Sequence, residues 1–114
     1  LLTAYVPYME GTLAFFEERS RAVFGREIPQ VLLMHSNLLN SEATPALLAM
    51  LRARGYAFVS LDEALADPAY ATANEYVASN GISWLHRWAK TLGVEHVWEA
   101  DPPAWVTEAY EQSR

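Results

Sequence analysis

A histidine at the end of an apolar run is the residue of this chain best placed to do chemistry. Val31 to Met34 is continuously apolar, and His35 follows directly, ahead of Ser36 and Asn37. A run without polar alternation predicts a strand buried on both faces, as in a parallel sheet covered by helices. Ligands collect at the carboxyl ends of such strands, where an imidazole can transfer protons near neutral pH. From its position alone, a structural histidine bonded to nearby backbone is the commoner reading, and catalysis is the alternative.

The other two histidines are weaker candidates for a chemical role. His86 lies between Trp84 and Trp88 but on a different face of the predicted helix, so we expect a solvated or hydrogen-bonded structural role. His96 stands beside Glu95 in a predicted loop, and we expect it at the surface. The three histidines lack the spacing of a metal site, and no His-Glu-x-x-His motif occurs. We therefore expect no metal to be held by this chain alone.

Trp84 and Trp88 are separated by one helical turn, which is compatible with a platform for stacking sugars. A pair of aromatic residues at this spacing beside leucines is more often part of a core, which is our prediction, with the platform as the alternative. We expect the acid pairs Glu17-Glu18 and Asp62-Glu63 to be solvated or capping residues. We also expect four arginines to lie on helix surfaces: Arg19, Arg21, Arg52 and Arg54.

Composition limits the classes of function. The 114 residues are 52% hydrophobic and 19% charged, which is typical of one soluble globular domain, and no apolar run is long enough for a transmembrane segment. The net charge of −6 argues against nucleic acid as a partner, because binding phosphates requires clustered cations. The chain has no cysteine, which excludes disulfides, thiolate ligands and a cysteine nucleophile.

Apolar periodicity, caps and glycine stops predict the helices. Three main helices are expected at residues 4–24, 45–54 and 82–92, with Pro7 and Pro45 each in a first turn. A short turn after Ser60 and a last short helix at 105–111 complete the set. Strands are predicted at residues 30–35 and 56–60, so that the first strand, the second helix and the second strand would form one right-handed crossover unit.

Three stretches resemble one protein family. They are Val31 to Asn40, Arg54 to Leu65 and Gly81 to Trp88. In order and spacing these stretches resemble the carboxyl-terminal portion of the polysaccharide deacetylase family, the NodB-homology domain. The resemblance covers most of the chain from residue 5 onward.

The resemblance implies a distorted (β/α) barrel that removes N-acetyl or O-acetyl groups from sugars. The family holds a divalent metal, for which we expect zinc, with an aspartate and two histidines in early motifs that precede this chain. The last family motif matches Leu33-Met34-His35. It implies that Leu33 lines the pocket for the acetyl methyl and that His35 is the general acid for the leaving amine.

We therefore expect residues 1–114 to be the carboxyl-terminal fragment of a single deacetylase-like domain. Its expected fold is α/β, a partial, distorted (β/α) barrel with at least two parallel strands and three main helices, lacking the amino-terminal part. Metal ligands and general base would be missing, so the chain alone should be inactive with added zinc. The expected partner is an acetylated carbohydrate. The family resemblance implies a location in the cell envelope or outside the cell. A non-catalytic carbohydrate-binding or interaction α/β domain is the alternative, and the oligomeric state stays open.

Overall fold

Helices joined by irregular segments make up this protein. The computed structural model describes residues 2–114. The helices are α1 (Leu2–Phe24), α2 (Leu38–Ala53), α3 (Leu61–Leu65), α4 (Trp84–Leu92) and α5 (Ala104–Gln112), and a 3-10 turn spans Pro68–Ala71. No helix within residues 2–114 is long and apolar enough to cross a bilayer.

The predicted α/β fold, a partial, distorted (β/α) barrel, is wrong. Residues 30–35 and 56–60, the two predicted parallel strands, contain no strand, and neither does any other part of the described chain. No backbone–backbone hydrogen bond joins residues 31–34 to another described segment. Instead of being buried, Leu33 is 86% exposed. An apolar run predicts burial, but a strand also needs a neighbouring strand with which to pair, and the run does not specify that partner.

Helix α1 ends where the sequence predicts and begins earlier. Gly25 follows it with φ of 72°, the left-handed conformation that glycine adopts most readily after a helix. Pro7 lies inside the helix, so its placement in the first turn is wrong. Proline removes one donor to the preceding turn, and the helix nevertheless continues back to Leu2.

Helix α2 also begins earlier than predicted. The side chain of Asn37 accepts a hydrogen bond from the backbone N–H of Asn40 at 2.8 Å and so caps the helix at Leu38. Pro45 therefore lies within α2 and not in its first turn. The three later helices occur near their predicted positions, with Ser60 and Ser83 capping α3 and α4.

The chain divides into two compact units, and α1 contributes to both. The first unit comprises residues 2–13, Met34–Tyr56 and Glu99–Arg114, and its buried apolar residues are Ala43 and Leu47. The second comprises Ala14–Leu33 and Ala57–Trp98. Its core, here called the Trp88 core, consists of buried side chains with partly buried ones packed against them: Ile28, Ala69, Leu85 and Trp88, with Phe16, Val23, Phe24 and Tyr70.

Candidate functional site

His35 lies in the first unit, in the irregular segment before α2, and it is exposed. Its carbonyl oxygen accepts a hydrogen bond from Asn40 Nδ2 at 2.7 Å. Asn40 is only 9% exposed, and its side-chain oxygen in turn accepts from the hydroxyl of Tyr5. The backbone of His35 is thus attached to a buried amide while the residue remains accessible, which suits an imidazole that gives a proton to a bound molecule.

Leu33, the predicted partner of the acetyl methyl, belongs to the second unit. It is 86% exposed, so a large apolar side chain is available to a ligand or a partner. The structure places Leu33 and His35 in different units. Their joint role in one pocket stays a prediction.

His86 is a buried structural histidine, 2% exposed. Its Nε2 lies 3.1 Å from the carbonyl oxygen of Val97, which can only accept, so Nε2 carries the proton in the neutral ring. Its Nδ1 lies 2.6 Å from Ser83 Oγ and therefore accepts from that hydroxyl. The hydrogen-bonded role predicted for His86 is confirmed, and solvation is excluded.

His96 is partly buried, so its predicted place at the surface is wrong. Its ring centre lies 4.9 Å from that of His86 and 4.2 Å from that of Trp98. Phe15 and Phe16 also approach the ring of His86, with ring centres 6.1 and 5.7 Å away. The surface prediction for His96 was based on the adjacent charged residue Glu95, which gives no sign of this aromatic environment.

The two tryptophans of α4 have different environments. Trp88 is 2% exposed and belongs to the Trp88 core, which confirms the core prediction for it. Trp84 is 51% exposed, so the same prediction is wrong there. The two indole rings stack, with centres 5.8 Å apart and planes inclined by 26°. The exposed indole of Trp84 therefore packs on the buried indole of Trp88.

Arg87 lies against the exposed indole of Trp84, and it shares the ring of Tyr76 with Lys90. The guanidinium carbon of Arg87 lies 5.0 Å from the ring centre of Tyr76 and 5.4 Å from that of Trp84. The ammonium of Lys90 lies 5.2 Å from the ring centre of Tyr76. We call Tyr76, Trp84, Arg87 and Lys90 the Trp84 platform. The helical spacing of residues 84, 87 and 90 was visible in the sequence, but Tyr76 lies in a segment with no clear pattern.

The arginines divide between surface and buried positions. Arg19 is 9% exposed, and its Nη2 donates to the carbonyl oxygen of Glu95 at 2.6 Å, so the surface prediction is wrong for it. Arg21 and Arg52 are exposed as predicted. Arg54 is partly buried and forms an ion pair with Glu10 at 3.3 Å.

Three groups near the 3-10 turn, Arg26, Asp67 and Tyr70, have shifted pKa values. The hydrogen bonds from Arg26 and then from the backbone N–H of Ala69 lower the pKa of the Asp67 carboxyl. The same pair raises the pKa of Arg26. Burial, followed by the nearby charge of Asp67, raises the pKa of the Tyr70 hydroxyl, which donates to the carbonyl oxygen of Pro29 at 2.6 Å. These hydrogen bonds link the 3-10 turn to Arg26 and to the carbonyl oxygen of Pro29.

Neither a search for metal-binding groups nor a comparison with known proteins assigns a function to this chain. Across residues 2–114 no three side chains of the metal-binding types are grouped so that they could hold an ion, so no ligand set can be named in this chain. No protein-family model, curated protein or solved structure matches the chain. The deacetylase resemblance and the zinc that it implies therefore stay predictions.

Proposed function

We propose that this chain is part of a metal-dependent hydrolase that removes acetyl groups from a polysaccharide or sugar, with His35 as its general acid. The observation that carries the proposal is the setting of His35, whose residue is exposed while its carbonyl is bound by the buried Asn40. Fixing the backbone limits where the imidazole can be, and positioning of this kind is a large part of acid catalysis.

The reaction requires a proton at one defined atom. When water adds to an acetamide and the C–N bond breaks, acetate forms and the sugar nitrogen must gain a proton, because an amide anion is a very poor leaving group. A protonated His35 would donate that proton. A divalent metal, with zinc expected, would supply activated water, and its ligands would have to come from residues outside this chain.

Leu33 is proposed to contact the acetyl methyl. Binding of the acetyl methyl against an apolar side chain is favourable, because both surfaces are removed from water. The exposed side chain of Leu33 offers such a surface. The effect on specificity would be modest, because one methyl or methylene group discriminates by about 1–3 kcal/mol.

The proposal is tested in the protein that carries the family's Asp-Asp and His-x-x-x-His motifs together with this chain. Replacing His35 by glutamine should lower kcat on an N-acetylated oligosaccharide by about 10²- to 10⁴-fold, the usual contribution of a general acid. Ser36→Ala, one residue away and also exposed, is the matched control and should leave the rate nearly unchanged. Equal rates for the wild type and His35→Gln would refute the role of His35. Turnover by residues 1–114 alone with zinc would refute the placement of the metal ligands outside this chain.

A second candidate function is binding of a partner or a carbohydrate without catalysis. It is favoured by the exposure of three consecutive apolar side chains, 48% at Val31, 49% at Leu32 and 86% at Leu33. Such a patch is more typical of an interaction surface than of a free protein face. If this function is the right one, Leu33→Asp should abolish binding of the partner while His35→Gln has no effect on any activity.

A further inference from the structure

The Trp84 platform gathers chemically complementary groups on one face of the second unit. Trp84, Arg87 and Lys90 are spaced by three residues along α4, so they follow one side of the helix. Tyr76 comes from the preceding irregular segment and lies against both cations, 5.0 Å from Arg87 and 5.2 Å from Lys90. The result is an exposed indole with Arg87 against it, next to a partly buried Tyr76 ring that contacts both Arg87 and Lys90.

The platform is held in place before any ligand arrives. Trp84 stacks on Trp88, which is 2% exposed in the core. Arg87 Nε donates to the carbonyl oxygen of Ile82 at 3.0 Å, and the Tyr76 hydroxyl donates to Asn80 Oδ1 at 2.9 Å. Groups that are already ordered lose less conformational entropy on binding, which favours affinity.

The two cations are available for an external anion. The chain carries an excess of acids, with net charge −6, yet Arg87 and Lys90 form no ion pair within residues 2–114. Only Nε of the Arg87 guanidinium is engaged, so its two terminal nitrogens, which match the spacing of a carboxylate, still have donors to offer.

We infer that the Trp84 platform binds an acidic saccharide, in which one sugar ring packs on the indole of Trp84 and its carboxylate is held by Arg87 and Lys90. The apolar C–H face of a sugar ring fits the exposed indole, and the carboxylate fits the guanidinium. A polyphosphate chain fits less well, because tracking it requires many clustered cations and this acidic chain presents two here. The inference goes beyond the proposed hydrolysis and does not depend on it, since binding requires neither His35 nor a metal.

The test is a titration of the whole chain with a trimer of galacturonic acid, followed by calorimetry and by tryptophan fluorescence. The trimer's methyl ester, which has the same rings without the charge, is the comparison ligand. The acid should bind at least 10-fold more tightly than the ester. Equal affinity for the two ligands, or no saturable binding of the acid, would overturn the inference.

Single substitutions distinguish the contribution of the cations from that of the indole. Arg87→Gln should weaken binding of the acid by at least 10-fold and remove the preference over the ester, while Trp84→Ala should weaken binding of both ligands. Trp105→Ala on α5 is the matched control, because Trp105 is exposed to a similar degree, 47%, and lies outside the platform. If Trp84→Ala binds like the wild type, or if Trp105→Ala loses as much affinity, the site is elsewhere and the inference fails.

A Lys90 variant and a competing nucleic acid test for unfolding and for a different class of ligand. Lys90→Gln changes an exposed cation and should lower affinity for the acid several-fold with unchanged circular dichroism, so a loss of binding cannot be ascribed to unfolding. A six-nucleotide single-stranded RNA is offered as a competing ligand. Tighter binding of the RNA than of the uronate trimer would overturn the assignment to a saccharide in favour of nucleic acid.

Discussion

Arg26 and Asp67 form a bidentate ion pair that joins the segment after α1 to the start of the 3-10 turn. Nη1 lies 2.9 Å from Oδ2, and Nη2 lies 2.6 Å from Oδ1. Asp67 Oδ1 also accepts from the backbone N–H of Ala69 at 2.9 Å and so caps the turn. One carboxylate therefore connects two distant parts of the sequence and caps the start of the 3-10 turn at the same time.

Replacing Asp67 by asparagine should change how stability depends on pH. The carboxyl pKa is lowered in the folded protein, so the stabilisation is complete above the unfolded value of about 3.9 and is lost as pH falls through the lower folded pKa. Asparagine keeps an oxygen for the N–H of Ala69 but removes the charge. Urea unfolding from pH 7 to pH 2 should show a smaller acid loss in Asp67→Asn than in the wild type.

The control for this pair is Glu27→Gln. Glu27 pairs with Arg21 through one contact at 3.3 Å, and both side chains are more than half exposed, at 56% and 52%. Exposed pairs of this kind contribute little. If Asp67→Asn and the wild type lose stability in parallel as pH falls, the ion pair does not stabilise the fold as described.

Trp88 should be among the residues whose truncation costs most stability. Its ring meets those of Phe24 and Tyr70 edge-on, at centre distances of 5.5 and 5.3 Å, and 2% of the residue is exposed. Trp88→Ala should lower the free energy of unfolding by about 3–5 kcal/mol, because a large cavity replaces these contacts. Val77→Ala, at a position 95% exposed, should change it by less than about 0.5 kcal/mol. Similar costs for both variants, measured by urea unfolding, would place the core elsewhere.

The sequence predicted features that depend on neighbours along the chain. The glycine after α1, the serine caps of α3 and α4 and the glycine at 93, with φ of 70°, are local signals. The strands failed because pairing is decided by distant segments. The burial of Arg19 was missed for the same reason, since its partner carbonyl belongs to Glu95. The exposed indole of Trp84 was missed because one apolar stripe can contain both core and surface residues.

Ser83→Ala should destabilise more than the equivalent change at Ser60. Ser83 Oγ accepts from the backbone N–H of His86 at 3.2 Å and donates to its ring, so alanine removes a cap and leaves a buried ring nitrogen without its donor. We expect a loss of about 1–3 kcal/mol. Ser60 caps only the five-residue α3, so Ser60→Ala should lower the free energy of unfolding by about 1 kcal/mol or less. Urea unfolding of the two variants gives the comparison, and equal losses would show that the contact with the His86 ring contributes nothing.

The same arrangement predicts a spectroscopic result for His86. Nitrogen-15 spectra of the neutral ring should show the proton on Nε2, because Val97 supplies only an acceptor there. In Ser83→Ala, the Nδ1 resonance should move towards the value of an imidazole nitrogen without a donor. A proton on Nδ1 in the wild type would contradict the hydrogen-bond directions given above.

Asn40→Ala should loosen the segment that carries His35. The Asn40 amide accepts from the Tyr5 hydroxyl and donates to the carbonyl oxygen of His35 at 2.7 Å. Losing both bonds at a nearly buried site should lower the free energy of unfolding by about 1–3 kcal/mol. Exchange of the Ser41 amide, which donates to the carbonyl oxygen of Asn37 at 3.0 Å, should also accelerate more than exchange in α4. Tyr5→Phe removes only one of the two bonds and should leave exchange of the Ser41 amide close to that of the wild type. Equal acceleration in both variants would show that the contact with His35 is unimportant.

Leu33→Ala and Leu47→Ala form the most direct test of the correction to the predicted fold. Leu33 is 86% exposed in a segment without strand pairing, whereas Leu47 on α2 is 2% exposed. Truncating Leu47 should lower the free energy of unfolding by about 2–5 kcal/mol, and truncating Leu33 should change it by less than about 0.5 kcal/mol. Both variants lose the same atoms, so the difference in urea unfolding measures their environments. A loss of several kcal/mol at Leu33 would mean that this apolar run is packed in solution as a buried strand would be.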